Sequence, residues 1–128
     1  MTRLVVDSWA WVEYFDGSRL GQNVGERISG DVELWTSVVS LTELVSKYRR
    51  KRISEEKAIE AIHSLSRFGI PNGDDAIQAG RLHAEVRSKS PDFSLVDAFV
   101  LQLARKLDAK VLTGDSDFRG IKEAEFLE

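Results

Sequence analysis

Five acidic residues and one serine offer the chemistry in this sequence: Asp7, Ser8, Glu43, Asp97, Asp115 and Asp117. Asp7 closes the run Leu4-Val5-Val6, which reads as a short buried strand. Asp97 stands inside Leu95–Leu107, the most apolar stretch of the chain. A carboxylate in either place costs several kcal/mol unless a cation or hydrogen-bond donors receive it. Gathering several carboxylates makes this worse, because each raises the pKa of the next. A divalent cation removes the repulsion, and hard oxygen ligands select Mg²⁺ or Mn²⁺ over zinc. We expect Asp7 and Asp97 to contact such an ion, with Glu43 and Asp115 bound directly or through water. Ser8 can orient a carboxylate or a bound water, or cap the helix that follows it. Asp115 or Asp117 could position or deprotonate an attacking water. The chemistry this set suits is that of a divalent ion acting on a bound water.

Strands must alternate with helices for these residues to meet. Leu4–Val6 predicts a strand and Trp9–Phe15 a short helix. Leu20, Val24 and Ile28 repeat every four residues and predict a helix over Arg19–Ser29. Gly21 and Gly25 on that helix would allow a close neighbour. Leu34–Val39 reads as a strand, Leu41–Arg50 as a helix, and a further helix begins after Ser54 with Ile59, Ile62 and Leu65 inward. Phe68–Ile70 is a brief strand cut off by Pro71-Asn72-Gly73. Asp74 or Asp75 then caps a helix with Ile77, Leu82 and Val86 among its apolar members. Ser90-Pro91-Asp92 breaks the pattern. Leu95–Leu107 reads as a buried helix, Lys110–Thr113 as a strand, and Glu125–Leu127 as a last strand after a turn at Arg119-Gly120. The alternation predicts one α/β domain with a parallel sheet and helices on both faces. In such a sheet, strand ends and the starts of the next helices share one edge, where ligands bind. All five acids fall on that edge.

Each acid also has a plainer role. Ser40-Leu41-Thr42-Glu43 and Ser94-Leu95-Val96-Asp97 both match a capping box. An acid there also gains about 0.3–1 kcal/mol from the helix dipole. For Glu43 taken alone, capping is the stronger reading. Asp97 is harder to explain so, since Val100, Leu101 and Ala104 share its face. The loop from Asp115 begins like an EF-hand, but Arg119 and Phe126 stand where ligands are required, which excludes it. His63 and His83 fall in helical stretches away from the acids and read as structural. Trp9 and Trp11 read as packing residues rather than base-stacking platforms. Five of the six residues Lys47–Arg52 are Lys or Arg. They form either a solvated helix end that suits the dipole or, should the chain grip nucleic acid, a contact for its phosphates.

Composition bounds the alternatives. The chain has 128 residues, 42% apolar and 30% charged, with six Phe, three Trp and two Tyr, enough for one real core. Net charge is −3, so any grip on nucleic acid must be local. There is no Cys, which removes disulfides, thiolate metal sites and cysteine nucleophiles. No signal peptide pattern is visible at the start, and no apolar run reaches the roughly 18 residues of a membrane span. A cytoplasmic location is expected.

The order LVVDS, TELV, SLVDAFVLQLA and LTGDSDF resembles the PIN domain, in particular the VapC-type toxins of toxin–antitoxin pairs. The likeness runs from Leu4 to Phe118. The family's first acid with its Ser or Thr falls on Asp7 and Ser8, its helix Glu on Glu43, and its third acid on Asp97. Its Thr-x-Asp-x-Asp-Phe signature falls on Thr113, Asp115, Asp117 and Phe118. The resemblance implies a five-stranded parallel sheet and a single PIN-like nuclease domain over residues 1–128. It also implies a Mg²⁺- or Mn²⁺-dependent endoribonuclease with an RNA substrate. Such toxins form homodimers and are neutralised by a small VapB-type antitoxin. Two other readings of the acids stand beside it. One is a non-catalytic module whose acidic pocket takes a partner's Arg. The other is a phosphoacceptor receiver-like domain, which wants a Lys where Thr113-Gly114-Asp115 stands.

Overall fold

The computed structural model describes residues 1–128. Strand β1 (Thr2–Val6) occupies the centre of a five-stranded, all-parallel sheet. Around it lie β2 (Val32–Ser37), β3 (Arg67–Gly69), β4 (Lys110–Thr113) and β5 (Ala124–Phe126), in the spatial order β3-β2-β1-β4-β5. β1 pairs with β2 through Leu4 and Leu34, and with β4 through Val5 and Val111. Successive side chains of a strand face opposite sides. Leu4 and Val6 therefore enter one core and Val5 the other, and all three are fully buried. That explains a continuous apolar run where a half-exposed strand would alternate.

Helices α1 (Ser8–Asp16), α2 (Arg19–Ile28), α3 (Val38–Arg50) and α4 (Glu56–Leu65) supply the first core with Ala10, Trp11, Val24, Leu44, Tyr48 and Ile62. Helices α5 (Gly73–Arg87) and α6 (Leu95–Leu107) supply the second with Ala79, Leu82, Ala98, Val100 and Leu101. The expected α/β architecture, with a five-stranded parallel sheet covered on both faces, is what forms. The α1–α2 contact is close, and Gly21 is the reason: a Cβ there would overlap the Glu13 carbonyl.

Four local expectations are corrected. β2 ends at Ser37 and α3 starts at Val38, so the β-branched Val38 and Val39 are helical rather than extended. Ser37, not Ser40, caps α3 by accepting from the Val39 N–H at 3.2 Å. Asn72 caps α5 in a capping box with Asp75, where Asp74 or Asp75 was expected. Leu65 is exposed rather than inward, while Ile62 holds the buried position of its helix.

Candidate active site

The strand order reverses beside β1, between β1 and β4, so their carboxyl ends flank the switch-point crevice of the sheet. Asp7 follows β1 directly and is 4% exposed. It caps α1, with Oδ1 accepting the Ala10 N–H at 2.9 Å. Ser8 is thus not the cap; it is the first residue of the helix. The other Asp7 oxygen, Oδ2, accepts from Thr113 Oγ1 at 2.6 Å. The same hydroxyl accepts the Asp115 N–H at 3.0 Å. Thr113, 106 residues from Asp7, therefore ties the first acid to the fourth.

Glu43, Asp97 and Asp115 each have one oxygen spoken for and one left over. Ser8 Oγ donates to Glu43 Oε1 at 2.5 Å. Because α3 begins three residues earlier than expected, Glu43 lies beyond its first turn and is no capping residue. Asp97 does form the capping box with Ser94: its Oδ2 accepts the Ser94 N–H at 2.9 Å. That bond holds the carboxylate over the helix start without occupying Oδ1. Asp115 Oδ1 accepts the Asp117 N–H at 2.9 Å, at the start of a short 3-10 turn, Ser116–Phe118. Trp9 lies against Gly114, where a Cβ would strike its indole ring, and this presses the loop carrying Asp115 onto the crevice.

The electrostatics match a shared acidic pocket. Burial raises the Asp7 pKa from 3.8 to about 7; hydrogen bonds from Thr113 and Ala10 oppose this, and Asp115 and Asp97 add to it. Burial raises Asp97 to about 6, with Asp115 and Asp117 contributing. Asp117 is raised by burial and by Asp115 and Asp92. Asp92, in the loop before α6, reads in the sequence only as part of the break Ser90-Pro91-Asp92; its influence on Asp117 is visible only in the structure. Thr113 is marked in the sequence by the Thr-x-Asp-x-Asp-Phe signature; its bond to Asp7 is what the structure adds.

All six ion pairs of the molecule lie elsewhere, so no Lys or Arg neutralises these acids. As the side chains stand, no three of them converge within ligating distance of one point. The donor set itself is all oxygen, with free positions on Glu43, Asp97 and Asp115, and it suits a hard divalent ion. The residues expected to act together are brought to one edge; His63 and His83 are not. The Lys47–Arg52 cluster sits at the far end of α3, and Arg50 is about 10 Å along the axis from Glu43. Arg49 pairs there with Glu55 at 3.6 Å.

Fold and site define an α/β domain with an all-carboxylate crevice at the switch point of a parallel sheet. Residues 4–124 match the family model of the PIN domain, and the chain belongs to that family. No curated protein sequence matches at a significant level. Among solved structures, the Mycobacterium tuberculosis toxin VapC20, a sarcin-ricin loop cleaving toxin, superposes with a TM-score of 0.74 at 19% identity, over 98% of this chain and 99% of its own. VapBC2 from Rickettsia felis, bound to a DNA fragment from its promoter, gives 0.72 at 18% identity over 99% and 98%. VapBC-1 from nontypeable Haemophilus influenzae gives 0.71 at 16% over 99% and 98%. At these identities the likeness is one of fold. The 3-2-1-4-5 order also differs from the 2-1-3-4-5 order of receiver domains, which removes that reading. No helix is long and apolar enough to cross a membrane.

Proposed function

We propose that this chain is a single PIN-like nuclease domain that hydrolyses RNA phosphodiester bonds with Mg²⁺ or Mn²⁺, as the toxin of a toxin–antitoxin pair. The observation that carries it is the buried Asp7, coupled to Asp97 and Asp115 with no cation in the protein to receive them. Asp7, Asp97, Glu43 and Asp115 would hold the ion. When bound, it supplies charge neutralisation at the phosphate and a lowered pKa for a coordinated water.

The chain's own residues do the positioning. Thr113 orients Asp7 and the Asp115 backbone, and Ser8 holds Glu43 to the same edge. Asp117, less buried and with a raised pKa, is suited to accept the proton of the attacking water. Family membership supports nuclease chemistry. The VapBC assemblies among the structural neighbours support a VapB-type antitoxin partner; a homodimer is part of the same proposal, carried by the family resemblance alone.

Cleavage of a generic single-stranded RNA with Mn²⁺, compared with Asp7→Asn and Asp97→Asn, tests the proposal. The expected result is Mn²⁺-dependent cleavage that falls at least ~100-fold in either variant, as for loss of a ligand with its charge. Equal activity in all three would leave the acidic-pocket binding module as the better reading.

A further inference from the structure

A second feature of the surface is opposite in charge to the acidic crevice. An open groove of about 890 Å³ runs between the end of α5, the outer side of α6 and the segment leading into β5. It is lined by four cations, Lys89, Arg105, Arg119 and Lys122, against two acids, Glu85 and Glu123. This is a local excess of positive charge in a protein whose net charge is −3.

The groove is built rather than incidental. Arg105 Nε is held by Glu123 Oε2 at 3.2 Å, which lays the guanidinium along the wall. The Arg119 guanidinium stacks 4.5 Å from the Phe126 ring centre. Lys89 and Lys122 are exposed and belong to none of the ion pairs, so their charges are free for a ligand.

Its position relative to the acids follows from two buried rings. Phe93 and Phe118 meet edge to face with centres 5.5 Å apart. They clamp the loop before α6 against the turn after β4. Ser90 and Arg119, which line the groove, belong to these two segments. Asp92 and Asp117 stand on the same segments, two residues away in each case. One end of the groove therefore lies on the segments that carry Asp92 and Asp117, while Arg105, in the last turn of α6, and Lys122, just before β5, lie toward the opposite edge of the sheet.

We infer that the Lys89–Arg105–Arg119–Lys122 groove carries the phosphate backbone of the RNA strand flanking the bond cleaved at the acids. The inference rests on the nuclease reading and extends it to how substrate is held. A cationic groove that tracks a backbone is the usual device for gripping single strands without reading sequence. Each neutralised phosphate contributes about 0.7 to the salt slope of single-strand binding. An acidic protein segment could use the same charges. RNA is the occupant we commit to because a phosphodiester is what the acids of this same chain are proposed to cleave.

The test uses the full chain and a double variant, Lys89→Gln with Lys122→Gln. Affinity for a fluorescent single-stranded RNA is measured without metal over about 50–200 mM salt, and cleavage is measured separately with Mn²⁺. The double variant is expected to lose roughly 20-fold in affinity near 0.1 M salt, with a slope shallower by about 1.4. Cleavage of the same RNA should show a raised KM with kcat retained, and a dinucleotide, too short to enter the groove, should be cleaved at the wild-type rate. Unchanged melting temperature and Mn²⁺ affinity would show that fold and crevice are intact. Unchanged RNA affinity and slope would overturn the inference, as would a wild type that binds no RNA. An acidic peptide of matched charge that bound more tightly than RNA would also overturn it, by reassigning the groove to a protein partner. Groove-dependent RNA binding without any cleavage would keep the groove and sink the nuclease reading, so the two fail separately.

Discussion

Asp7 is pulled two ways by its own surroundings. Capping α1 and accepting from Thr113 favour the carboxylate, while burial beside Asp97 and Asp115 favours the acid, and burial wins. A carboxyl whose native pKa is about 7, against 3.8 when unfolded, keeps its proton longer in the folded state. Its stability cost is nil below about pH 4, grows as pH rises and is complete above about pH 7. The metal-free protein should therefore lose about 2–3 kcal/mol through Asp7 between pH 5 and pH 8, read as a falling melting temperature. Asp97 acts in the same direction over a lower window, up to about 6. Asp7→Asn should remove the larger part of the fall; a melting curve just as pH-dependent as the wild type's would refute this account. Ser8 works differently. Its hydroxyl holds Glu43 and caps nothing, so Ser8→Ala should change stability by no more than about 1 kcal/mol. RNA cleavage should fall about 10-fold as Glu43 loses its orientation.

Element boundaries decide which acids are free to act. The sequence places Glu43 three residues after Ser40, in capping position, because Val38 and Val39 look extended. β-propensity is a weak preference, and here Ser37 captures the Val39 N–H and starts the helix early. Glu43 is thereby moved beyond the first turn and released from capping. At α6 the capping box forms as the spacing indicates, and it serves the site by anchoring one Asp97 oxygen. Ser94→Ala should cost about 1 kcal/mol of stability, and its loss of cleavage should be smaller than that of Asp97→Asn. The loop after β4 depends on Gly114, which leaves room for the Trp9 ring and the Leu127 carbonyl. Gly114→Ala should displace Asp115, lowering cleavage together with a loss of about 1–3 kcal/mol in unfolding experiments. Wild-type activity in that variant would show that the Trp9 contact does not position the acid.

For the molecule as a whole, the acidic crevice is a stability cost that a divalent ion would convert into a gain. Ion and protons compete for the same carboxylates. Mn²⁺ should raise the melting temperature at pH 8 and much less at pH 5, because binding to the folded state alone stabilises it by mass action. An equal shift at both pH values, or the same shift in Asp7→Asn, would place the ion elsewhere. The sequence by itself determined the α/β class, the buried run Leu4–Val6, the apolar helix around Asp97 and the identity of the acids, because periodicity, apolar runs and caps are local. Only the tertiary structure decided that β1 lies between β2 and β4, that Thr113 bridges Asp7 and Asp115, that Ser8 serves Glu43, that Asp92 acts on Asp117, and that four cations line one groove. The reason is physical: strand order and loop packing come from burying two cores against one sheet, a sum over the whole chain that no local pattern records.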